Sequence, residues 1–126
     1  YFMLGIYCRG DDLQDTAKRD VYTRFLVGLA QMNRMIYYRS NKDEWVRTAV
    51  ELQARNEDDM SFFYDWMVDN KLMAANVEFS QEQIDFVQRQ TVLSGSQPEV
   101  LPFDRVATLE LQKAAISQLG EFTYPA

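Results

Sequence analysis

Histidine is missing from the 126 residues. A Ser-His-Asp triad, a Cys-His dyad and any histidine-ligated metal site are therefore excluded within this chain. Cysteine is almost missing too. Cys8 alone permits neither an internal disulfide nor a cysteine-built zinc site. Glycine and proline number five and three, too few for a collagen-like or low-complexity chain. No apolar run approaches the length of a membrane span. Basic excess is lacking as well: thirteen Lys and Arg face nineteen Asp and Glu, a net charge of −6 that argues against nucleic acid as a partner.

What is present reads as one domain's worth of mostly helical chain. Residues 2–8 form a short continuous apolar run with the length of a buried strand, closed by Arg9, Gly10, Asp11 and Asp12. A single strand leaves its backbone donors and acceptors unmet, so the run demands a partner strand. Cys8 closes this run and reads as a buried structural thiol. The chain opens inside the apolar run, without an initiator methionine or the charged segment of a signal peptide, and reads as a piece of a longer protein.

Five helices follow. Residues 15–38 place Val21, Tyr22, Phe25, Leu26, Leu29, Met32 and Ile36 at three- and four-residue spacing, which predicts one buried face. A second helix over 42–55 carries Trp45, Val46, Ala49, Val50 and Leu52. A third over 59–71, dense in Met60, Phe62, Phe63, Trp66 and Met67, is expected to be deeply packed. Ser80 and Gln83 have capping-box spacing for a fourth helix that runs to Leu93 and stops at Gly95. Residues 94–104, with two prolines, read as a linker. A fifth helix over 107–119 buries Leu109, Leu111 or Gln112, Ala115, Ile116 and Leu119, and ends at Gly120.

Charge is uneven: residues 56–79 hold six acids and one base. Asp58, Asp59, Asp65 and Asp69 raise the question of a hard cation, but without EF-hand spacing they read as a solvated helix face. No residue set suggests catalysis, a metal centre or a cofactor.

A pattern of residues carries a family resemblance. Ser80 to Val87 leads through a glycine turn to Leu101-Pro102-Phe103-Asp104-Arg105-Val106, and then to a closing helix ending Ala115-Ile116-Ser117-Gln118-Leu119-Gly120. This resembles the C-terminal end of the substrate-binding proteins of ABC importers for thiamine pyrimidine precursors, aliphatic sulfonates and nitrate. Residues 2–8 are similar to the segment that crosses back between that family's lobes, followed by Asp11-Asp12-Leu13 and then the long helix with Val21, Phe25 and Leu29. Trp45 and its helix follow in the same order.

The resemblance implies the C-terminal portion of a two-lobed α/β periplasmic-binding-protein-like fold: about five helices with one or two short strands, residues 1–126 acting as one helical segment that completes a lobe. It implies non-catalytic binding of a small solute for import, in the periplasm or another extracytoplasmic space. The partners would be the N-terminal lobe of the same protein or a homodimer mate, and an ABC permease. Tyr7 and Arg9 lie nearest the crossing and are the candidate ligand contacts, a stacking face and a fork for phosphate or sulfonate. Two alternatives stand beside this reading. One is an independent helical interaction module acting as a homodimer. The other is a part of a thiamine pyrimidine biosynthesis enzyme, whose catalytic histidine would have to lie elsewhere.

Overall fold

A computed structural model describes residues 6–125, and the described residues fold entirely into helices and connecting turns. The elements are α1 (Thr16–Ile36), α2 (Lys42–Gln53), α3 (Glu57–Asp69), α4 (Gln81–Leu93), α5 (Phe103–Val106) and α6 (Glu110–Leu119). Two 3-10 turns, Gly10–Gln14 and Arg39–Asn41, precede α1 and α2.

The α/β expectation is therefore corrected: no strand occurs among the described residues, and the fold is all-helical. Residues 2–5 of the expected strand lie outside the described residues. Ile6, Tyr7 and Cys8 are exposed and irregular. The physical reason is the one that made the strand problematic, since the described residues offer no second strand to take its hydrogen bonds. Cys8 is consequently an exposed free thiol and not a buried one.

Local chemistry sets the helix starts. Asp15 caps α1 by accepting from the backbone N–H groups of Ala17 and Lys18. Asn56 caps α3 by accepting from Asp59 N–H at 2.7 Å, two residues earlier than periodicity suggests. Ser80 and Gln83 form the reciprocal capping box. Gly95 and Gly120 take φ +75° just beyond α4 and α6, a conformation that side chains resist. The last helix starts at Glu110 and not at residue 107, because Ala107 is extended and Thr108 Oγ1 receives the Glu110 N–H. Within the expected linker, Phe103 and Asp104 belong to α5.

The helices pair as α1 on α6 and α2 on α3, with α5 beside α4. The first pair buries small residues, with Ala30 and Ala115 wholly enclosed and Leu111 beside them, so the backbones approach closely. The second buries Val46, Ala49, Met60, Tyr64 and Met67, against which Ile36, Trp45, Val50, Val68 and Met73 pack. Tyr64 is fully enclosed and donates its hydroxyl to the Ile36 carbonyl at 2.6 Å, which ties α3 to the end of α1.

Two expected apolar faces are open. On α1 the enclosed positions are Thr23, Ala30 and Asn33, while Val21, Phe25 and Met32 face outward. On α3, Phe62 is 73 % exposed, and Phe63 and Trp66 are also open to solvent. Leu52 of α2 is exposed as well. The small core selects the faces carrying Ala and Tyr64, and the largest apolar side chains are left over.

Candidate functional site

The polar groups of the fold converge where α1, residues 73–78 and the C-terminal tail meet. From α1, Asn33 Nδ2 donates to the Ala74 carbonyl at 2.8 Å, and Arg34 Nε donates to Ala75 O at 3.0 Å. The Arg34 fork continues to Asn76 Oδ1 (3.1 Å) and Gly120 O (2.7 Å), and its guanidinium lies 5.5 Å from the Phe122 ring centroid. Tyr37, nearly buried, donates its hydroxyl to Met73 O and accepts from Met73 N–H. Tyr37, Phe122 and Tyr124 then stack edge-on and tilted, with centroids 4.9–5.8 Å apart.

Burial pushes the Tyr37 phenol up to about 12, with the neighbouring Tyr124 adding to the effect. Burial likewise raises Tyr124, whose hydroxyl donates to Glu78 Oε1 at 3.0 Å. Both phenols are thus neutral hydrogen-bonding groups near pH 7, and neither serves as a base.

Outside this junction a cleft of ≈ 790 Å3 opens between residues 71–78, α6 and the tail. Lys71, Lys113, Glu78 and Glu121 line it together with Phe122 and Tyr124. Lys71 Nζ sits 5.2 Å from the Tyr124 ring centroid. Charges of both signs beside two aromatic rings suit a small polar molecule carrying both a flat and a charged part.

The two candidate ligand contacts lie elsewhere. Tyr7 is 86 % exposed, and Arg9 makes one open ion pair with Asp11 at 3.5 Å. Neither lines the cleft. The neighbouring Asp12 binds Lys18 and accepts from Tyr22 Oη at 2.9 Å, and these hydrogen bonds hold its carboxyl below the usual range.

The acidic stretch has a structural use. Asp65 receives Arg39 at 2.6 Å and Lys42 at 2.7 Å, and Asp69 receives Arg39 at 2.6 Å, so α3 is pinned to the start of α2. Lys42 is the largest cause of the lowered Asp65 pKa. No group of acids, cysteines or histidines among the described residues is arranged to hold a metal ion, and no described helix is long and apolar enough to cross a membrane.

Sequence reasoning passed over Asn76 and Gln88, the two amides that organise the chain. Gln88, buried on α4, donates to Leu101 O at 3.0 Å and accepts from Leu101 N–H at 2.9 Å. It thereby fixes the Leu101-Pro102-Phe103 stretch, whose Phe103 ring meets Phe79 at 6.3 Å. Only its place on the inner side of α4, one residue beyond Val87, hinted at this role. Compared with protein-family models, with curated proteins and with solved structures, the chain matches none.

Proposed function

We propose that the chain is the helical closing section of an importer's solute-binding protein, and that it helps to hold a small solute without transforming it. The observation that carries the reading is the open aromatic platform of α3. Phe63 and Trp66 stack at 6.1 Å, Trp45 adjoins them at 6.3 Å from Phe63, and Phe62 stands outward. Each large apolar side chain kept in water forgoes about 1.5–3 kcal/mol of burial. Such a platform suits a section that seats on the remainder of its own protein.

The sequence resemblance over residues 80–87, 101–106 and 115–120 supports the same role, and Gln88 anchors the first of residues 101–106 through both backbone polar groups of Leu101. The solute class it suggests is a thiamine pyrimidine precursor, an aliphatic sulfonate or nitrate, handed to an ABC permease on the extracytoplasmic side. Tyr7 and Arg9, open to solvent, remain the proposed solute contacts. The test is calorimetric titration of the protein carrying residues 1–126 with one member of each class. Saturable one-to-one binding of one class supports the role, and no heat from any of the three refutes it.

A further inference from the structure

The outward side of α1 carries Val21, Phe25, Gly28, Met32 and Met35, at alternating steps of four and three residues. That is the seam of a coiled coil, the period a helix needs to keep one stripe against a second helix. Phe25 is 56 % and Met32 52 % exposed, and Val21 and Met35 are equally open. The seam is also free of stray charge. Lys18 is bound to Asp12, Arg19 to Glu110, Arg24 to Asp20, and Arg34 is consumed by the junction with the tail.

Gly28 gives the occupant. A glycine in the middle of an exposed helix costs about 0.5–1 kcal/mol relative to alanine. Nothing among the described residues asks for it, since a Cβ there would meet none of their atoms within 4 Å. A close helical neighbour would ask for it. The stripe is nearly symmetric about this residue: in an antiparallel pair Gly28 meets the partner's Gly28, Phe25 meets the partner's Met32, and Val21 meets the partner's Met35. Phe against Met is a favourable sulfur–aromatic layer, and antiparallel helices oppose their dipoles. At the flank, Arg24 meets the partner's Gln31, so like charges are not brought together.

We propose that α1 is a self-association face, on which a second copy of this chain seats its own α1 antiparallel with Gly28 at the two-fold axis. This surface is separate from the α3 platform, so the two readings stand or fall independently.

Sedimentation equilibrium of the full chain should show a concentration-dependent dimer. Joint substitution Phe25→Asp and Met32→Asp, at exposed positions, should weaken it by at least about tenfold with the helical circular dichroism kept. Phe62→Asp on α3 should leave it intact. With Cys8→Ser as background, Gly28→Cys should oxidise to a covalent dimer. Val21→Cys should not, because the two copies of residue 21 then lie about 21 Å apart along the axis, far beyond disulfide reach. A monomer at every concentration, loss of the dimer through Phe62→Asp alone, or equal cross-linking at both cysteines would each overturn the proposal.

Discussion

The side-chain amide of Asn76 holds both backbone polar groups of Phe122: the Phe122 N–H donates to Oδ1 at 2.8 Å, and Nδ2 donates to the Phe122 carbonyl at 3.2 Å. A neighbouring strand would satisfy an extended segment in the same way. Gln88 does this for Leu101. Two amides thus supply what a sheet would otherwise supply, and the tail docks without a strand.

Asn76→Ala should therefore release the tail. Removing both partners of Phe122 costs about 1–3 kcal/mol. Limited proteolysis should cut residues 120–125 first in this variant, while the wild-type tail resists. Equal cleavage rates would show that the amide does not hold the tail.

Tyr64→Phe should lower stability by about 1–2 kcal/mol, because the Ile36 carbonyl loses its donor in a closed site. Urea unfolding with an unchanged slope and a lower midpoint is the expected result.

Ala54 ends α2 in the left-handed conformation, at φ 51°. Ala54→Gly should stabilise the exposed turn by about 0.5–1 kcal/mol, since glycine adopts that backbone without steric cost. A rise in Tm of a few degrees is the corresponding reading.

Stability should fall at both pH extremes, for opposite reasons. Tyr37 has its phenol raised to about 12 in the folded chain, so its contribution is complete below the ordinary value of 10.0 and is lost as pH climbs between the two. Asp12 and Asp65 have lowered values, so their contributions are complete above the ordinary 3.8 and fade as pH drops below it. Phenolate absorbance followed alongside circular dichroism should show tyrosines ionising together with unfolding on the alkaline side. Tyr37→Phe should shift that transition.

The helices were legible in the sequence because their signals are local. Ser80 with Gln83 and the glycines at 95 and 120 all act within a turn of where they stand. The faces were not legible. Periodicity marks Phe25 and Phe62 as belonging to apolar stripes, yet it is silent on whether the covering surface lies in the same chain. The strand expected at 2–8 rested on length and apolarity alone, and its described end has no partner to pair with. Asn76 carries no periodic signal, and Gln88 carries only its place beside Val87 on the inner side of α4, since what each binds is a backbone segment 46 and 13 residues away. The candidate contacts Tyr7 and Arg9 came from the resemblance. The cleft beside Tyr124 depends on a tail whose docking no local pattern announces.

The proposed role turns on whether the α3 aromatic platform is a seated surface in the working protein. Iodide quenching of Trp66, with Trp45→Phe to isolate its fluorescence, compares the chain of residues 1–126 alone with the same chain inside the longer solute-binding protein that the proposal assigns it to. A seated platform gives a tryptophan quenched freely in the isolated chain and shielded in the longer protein. Equal quenching in both would contradict it.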